Sequence, residues 1–131
     1  MALAALPRMT EARQAMGKFG EELACAALES RGYALIERRY RTRFGEIDIV
    51  AQDGETLVFV EVKARQDGSY GDPSEAVTLR KQQRLVAMAT EYLHHHRRED
   101  APCRFDVVSV LVGVGAPAVE VIPDAFRPGW V

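Results

Sequence analysis

The stretch Gly45–Arg65, GEIDIVAQDGETLVFVEVKAR, decides how this chain is read. Two runs of β-branched and apolar residues flank Asp53-Gly54, the pair most favoured at the centre of a two-residue type I′ turn. A turn centred there sets Glu46 opposite Glu61, Asp48 opposite Phe59 and Phe44 opposite Lys63, with Asp48 diagonal to Glu61. Strict alternation then lines one face of the hairpin with Ile47, Ile49, Val58, Val60 and Val62. The other face carries Glu46, Asp48, Glu61 and Lys63. Three carboxylates within a few Å raise one another's pKa unless a cation sits among them. Lys63 offsets one charge. A divalent ion offsets the rest, and Mg²⁺ suits a site with one or two carboxylates, retained waters and phosphate oxygens. The competing reading is a solvent-facing sheet surface with cross-strand ion pairs, although such a surface ordinarily mixes Thr, Lys and Arg rather than gathering acids.

Outward from the hairpin, periodicity places the other elements. Thr10 reads as an N-cap, residues 11–31 as helix formers, and Gly32 as the stop. Met16, Phe19, Leu23, Ala26 and Ala27 form its apolar stripe. Helical geometry puts Glu22 on the shoulder of that stripe, able to reach the interior, and points Glu21 the opposite way. YALIERRYR after Gly32 predicts a strand, and QDGSYGDP a loop. From Thr78 the chain is helical, with Leu85, Val86, Ala89, Tyr92 and Leu93 on one side. CRFDVVSVLVG is a fourth strand, and AVEVIPDAF an edge strand ended by Pro123. The order α-β-β-β-α-β-β predicts an α/β fold, an αβ sandwich whose mixed central sheet uses the last helix as a crossover.

With 131 residues the chain is most economically one domain. Residues 1–9 read as a loose extension and 10–131 as the domain. A composition 47% hydrophobic and 27% charged is that of a soluble globular protein. No apolar run approaches the roughly 20 residues that span a bilayer, and MALAALPRMT is too short and weakly apolar for a secretory signal. Cys25 and Cys103 alone make no disulfide framework and fit reduced thiols in a cytoplasm. A net charge of −2 does not advertise a nucleic-acid binder, but charge is unevenly placed. ERRYRTR gathers Arg38, Arg39, Arg41 and Arg43, and RKQQR adds Arg80, Lys81 and Arg84. Such local patches matter more than the sum when phosphates are the partner, although a run of this kind is also how a solvated face looks.

The EID and EVK runs, with the intervening spacing between Asp48 and Glu61, resemble the PD-(D/E)XK nuclease signature. A closer resemblance is to the YraN-like family of uncharacterised bacterial proteins, similar in fold to archaeal Holliday junction resolvases. It covers GKFGEELACAALESRGYALIERRYRTRFGEIDIVAQDGETLVFVEVKAR, AVTLRKQQRLVAMATEYL and RFDVVSV. The resemblance implies a restriction-endonuclease-like sandwich. It further implies that Asp48 and Glu61 are metal ligands, that Lys63 is the catalytic lysine, and that Glu22 is the helix glutamate brought to the metal. Glu46 belongs to the GEID run as an accessory residue, and Gly45-Glu46-Ile47-Asp48 stands where the signature has its proline. The implied activity is Mg²⁺- or Mn²⁺-dependent endonucleolytic hydrolysis of branched or otherwise structured DNA. In that reading Arg41, Arg43, Lys81 and Arg84 hold backbone phosphates without reading sequence. By analogy with junction resolvases, a homodimer is expected. Two other classes of function compete: a non-catalytic nucleic-acid-binding module, and a protein-interaction domain whose acids hold a structural ion.

Other conspicuous residues carry less. His94, His95 and His96 point about 100° apart on a helix and do not converge on one ion; near a helix C-terminus they favour the dipole. Asp106 reads as a structural strand acid near Arg104, and Cys25 as packing. Tyr70 and Gly71 fall in a loop that could border the cleft, and Trp130 near the terminus is assigned no function.

Overall fold

The computed structural model describes residues 9–66, 77–113 and 115–128. The elements are α1 (Met9–Ser30), β1 (Ala34–Thr42), β2 (Gly45–Asp53), β3 (Thr56–Gln66), α2 (Leu79–His95), β4 (Cys103–Val112) and β5 (Ala118–Phe126), in the order that the sequence predicts. They build one five-stranded sheet in which the strands lie in chain order. Only β3 and β4 pair in parallel; the other neighbours are antiparallel. A parallel pair cannot be closed by a tight turn, and α2 supplies the crossover.

The central strand β3 explains the sandwich. Leu57, Val58, Phe59 and Val60 are all fully buried, two on each face. That is why this run is continuously apolar rather than alternating. Leu57 and Phe59 join Val50, Phe105 and Val107 under α2, which contributes Leu85, Met88, Ala89, Tyr92 and Leu93. Val58 and Val60 join Ile49, Ala51, Val108 and Val110 under α1, which contributes Ala24, Cys25 and Leu28.

Both helices are fixed by their ends. Gly32 (φ 90) closes α1: its N–H donates to the Glu29 carbonyl at 2.9 Å and that of Tyr33 to the Leu28 carbonyl at 3.1 Å. This is the paired arrangement that makes glycine the natural stop. Thr78 caps α2 by accepting the Lys81 N–H at 3.3 Å. α1 already includes Thr10, whose side chain lies outside the described residues together with Tyr70, Gly71 and Trp130.

Three expectations need correction. The turn between β2 and β3 is centred on Gly54-Glu55, with Asp53 paired to Thr56 and Ile49 to Val60. Only Gly54 takes positive φ (62), so the glycine serves as the first central residue, as in a II′ turn, and the register moves by two. Pro123 does not end β5. It sits on an edge strand opposite a register shift between Phe105 and Val107, where a residue without an N–H is tolerated. Phe19 does not define the inner face of α1: it is 42% exposed, whereas Gly20, Ala24 and Leu28 are buried. A Cβ on Gly20 would stand 2.7 Å from the Ala64 Cβ. The helix therefore rests on β3 at a glycine, at a distance no larger residue permits.

Candidate active site

The shifted register brings Asp48 directly opposite Glu61 rather than diagonal to it, and it does so where the two strands part. Regular β2–β3 pairing ends at Ile49–Val60. Alternation also breaks there: Ile47 packs in the α2 layer and Ile49 in the α1 layer. The fork frees the Val62 N–H, and the Asp48 carboxylate accepts it at 2.8 Å. One side-chain oxygen thus does the work of the missing ladder acceptor. Across the sheet in β1, Arg39 takes φ 53, a left-handed conformation uncommon outside glycine. It turns the neighbouring strand over at the level of Asp48.

Asp48, Val62 and Lys63 line a cleft of about 640 Å³ together with Met16, Gly17 and Glu21 of α1. Burial, then the nearby Glu61 charge, pushes the Asp48 carboxyl up to about 7, although the Val62 N–H and its ion-like hydrogen bond work against the rise. Glu61 is also pushed upward by burial, and Lys81, Arg84 and Lys63 pull it back. Lys63 is lowered, first by the Lys81 amine beside it and then by burial. Two half-buried carboxylates and a lysine therefore meet at the fork, with α1 on one side and the cationic start of α2 on the other.

Not every residue expected here arrives. Glu22 is exposed to solvent, and it is Glu21 that lines the cleft. Glu21 is held by Arg39 at 3.1 Å and Arg38 at 3.6 Å, so the expected assignment of the two neighbours is reversed. The error follows from taking Phe19 as the inner face. The contacting face is Gly20, Ala24 and Leu28, at helical spacing with Glu21 beside it, and its signal is small residues where helix and sheet touch. Glu46 is exposed and pairs with Arg41 at 2.7 Å. Arg43 reaches Glu91 of α2 at 3.1 Å. A second hollow, lined by Lys18, Arg39, Arg41 and Glu46, adjoins the first through the shared residues Gly17 and Glu21. Sequence reading missed Glu21, Arg38 and Arg39 as neighbours of the site.

The rejected motifs have structural partners. His96 stacks on Tyr92 with ring centroids 4.0 Å apart, and His94 contacts Glu99 at 3.3 Å. Asp106 is buried under four donors: Tyr33 Oη at 2.9 Å, Arg104 Nε at 2.9 Å and NH2 at 3.1 Å, and the Asp124 N–H at 2.9 Å. That last bond fills the gap left by the β4–β5 register shift. Burial and the neighbouring Asp106 push the Tyr33 phenol up to about 12. Both cysteines are free.

The forked hairpin, the second half of α1 and the α2 crossover all lie within the part of the chain that matches a family model. Residues 20–110 match the model of the uncharacterised protein family UPF0102. A UPF0102 protein of Anaeromyxobacter dehalogenans is 48% identical over 123 residues, which cover 91% of this chain and 92% of that one. The chain belongs to the UPF0102 family. Members from Desulforapulum autotrophicum (47% identity; 91% of this chain, 98% of the relative) and Symbiobacterium thermophilum (49%; 86% and 96%) match it at similar length. The UPF0102 match spans every residue of the fork, from Gly20 against Ala64 to the β4 strand beside β3. No helix among the described residues is long and apolar enough to cross a membrane.

Proposed function

We propose that this chain is a nucleic-acid-binding phosphodiester hydrolase, an endonuclease that uses Mg²⁺ or Mn²⁺ on branched or structured DNA. The observation that carries the reading is Asp48, desolvated in a cleft that Lys63 also lines, with the likewise desolvated Glu61 close enough for its charge to raise Asp48. A fold has no stability reason to bury two repelling carboxylates, and perturbed acids in a cleft are a mark of functional sites. The resemblance to PD-(D/E)XK nucleases assigns the same three residues.

A divalent ion fits this donor set. Asp48 and Glu61 offer only oxygen, and the repulsion that raises them is what a cation offsets. Among the described residues no group of three or more His, Cys, Asp or Glu comes close enough to enclose an ion. Mg²⁺ keeps several waters and binds through one or two carboxylates plus phosphate oxygens, so two carboxylates are enough. Asp48 and Glu61 would hold it, without Glu22. When bound, such an ion polarises a phosphoryl oxygen and lowers the pKa of a bound water. Lys63 donates to the phosphate or orients the attacking water. Lys81 and Arg84 attract the backbone toward the fork. Arg41 and Arg43 are 82% and 78% exposed, and surface ion pairs of this kind are weak enough to exchange Glu46 and Glu91 for phosphates.

The test is incubation of the purified protein with branched, duplex and single-stranded DNA in Mg²⁺, in Mn²⁺ and in chelator. Metal-dependent cutting of the branched DNA supports the proposal. Binding without cutting leaves a non-catalytic module, and no binding to any form rejects the reading.

A further inference from the structure

Phe44 stands at the tip of the β1–β2 hairpin and is 43% exposed, packing into neither core cluster. The turn that presents it is nevertheless locked. Thr42 Oγ1 accepts the Phe44 N–H at 3.0 Å and donates to the Gly45 carbonyl at 2.9 Å. Gly45 follows at φ 131, where a side chain would be strained. The tip leans on α2: a Cβ on Gly45 would meet Met88 Sδ at 3.6 Å. Arg43 holds Glu91 through both its backbone N–H and its guanidinium.

Lys81, Arg84, Met88 and Glu91 recur at helical spacing along one side of α2. The first two face Glu61, and the last two support the hairpin tip. At ~1.5 Å per residue, the seven-residue offset between the two pairs carries the tip about 10 Å along α2 from the carboxylates. The Arg43 guanidinium lies over one face of the ring, 5.0 Å from its centroid, leaving the other face for a ligand, and Arg41 is on the same hairpin. A rigid, exposed aromatic face beside phosphate-binding groups is the arrangement on which single-stranded nucleic acids stack. In an uninterrupted duplex both faces of every base are already covered by neighbours, so only an unpaired or extruded base can use it.

Resting on the phosphodiester-hydrolase reading, we propose that Phe44 is a stacking platform for an unpaired nucleobase a few nucleotides from the scissile phosphate. The substrate class is then DNA with unpaired nucleotides, such as a fork or gap, rather than continuous duplex. The test compares wild type, Phe44→Ala and Phe44→Trp in binding to a blunt duplex, a fork with single-stranded arms, and a single strand, in chelator so that nothing is cut. Phe44→Ala is expected to weaken the fork and the single strand by about tenfold and leave the blunt duplex unchanged, with Phe44→Trp restoring affinity. An equal loss on all three substrates, or no loss on any, overturns the inference. If wild type still binds and cuts, the inference falls alone; if wild type binds no nucleic acid, the hydrolase reading falls with it.

Discussion

Asp48→Asn should stabilise the fold, and should do so only above acid pH. The wild-type carboxyl is held at about 7 by burial and Glu61, against about 3.9 in an unfolded chain. The native state therefore binds this proton more tightly than the unfolded state. The contribution of this group to stability is greatest below pH ~4, falls as pH rises through the window up to ~7, and levels off above it. Three units correspond to about 4 kcal/mol, an upper limit because Asp48 and Glu61 titrate as a pair. Asn keeps an oxygen for the Val62 N–H, bonded at 2.8 Å in the native site, and removes the charge. The variant is expected to match wild type near pH 4 and exceed it by about 2 kcal/mol near pH 8. With urea slopes of about 1–3 kcal/mol per M, the midpoint rises by about 1 M. Added Mg²⁺ should stabilise wild type at the higher pH and not the variant, narrowing the gap. A difference between the two proteins that is flat with pH would refute the reasoning.

Other substitutions probe the frame around the fork. Gly20→Leu should cost about 1–3 kcal/mol in denaturant unfolding, because even a Cβ there meets Ala64 at 2.7 Å; unchanged stability would contradict the close approach. Asp106→Ala leaves the buried Tyr33 without its acceptor and the partly buried Arg104 with the Asp53 carboxylate, and should cost about 3 kcal/mol, readable by thermal or urea melting. Replacing Arg41 and Arg43 together by Ala should weaken binding to all DNA sequences alike. It should also flatten the salt dependence by about one unit of slope per lost phosphate contact, measured over a salt series.

The fold was legible where local chemistry fixes it. Gly32 at a helix end, the helical run from Thr78 and the apolar runs on either side of Asp53-Gly54 are each readable locally, and together they give the order of elements. That Asp48, Glu61 and Lys63 lie near one another was legible; how they are arranged was not. An Asp-Gly pair admits two turn registers, and only pairing across the whole ladder selects the one that sets Asp48 against Glu61. The inversion at Arg39 and the fork at Asp48 break the period-two rule, so that Ile47 and Ile49 pack in different layers. Glu21 was missed for a related reason. Bulk was taken as the mark of a buried helix face, whereas this helix packs through Gly20 and Ala24. On the proposed function the charged residues around the cleft serve chemistry rather than folding, which is where local rules are expected to fail.

Binding and cleavage of forked DNA by wild type and Asp48→Asn, measured side by side in Mg²⁺, test the central claim most directly. Asp48 would hold the ion, whereas affinity would come from Arg and Lys contacts to phosphates. Cutting should therefore be lost in the variant while binding is retained. Cutting by the variant at the wild-type rate, or a wild type that neither binds nor cuts, would contradict the account.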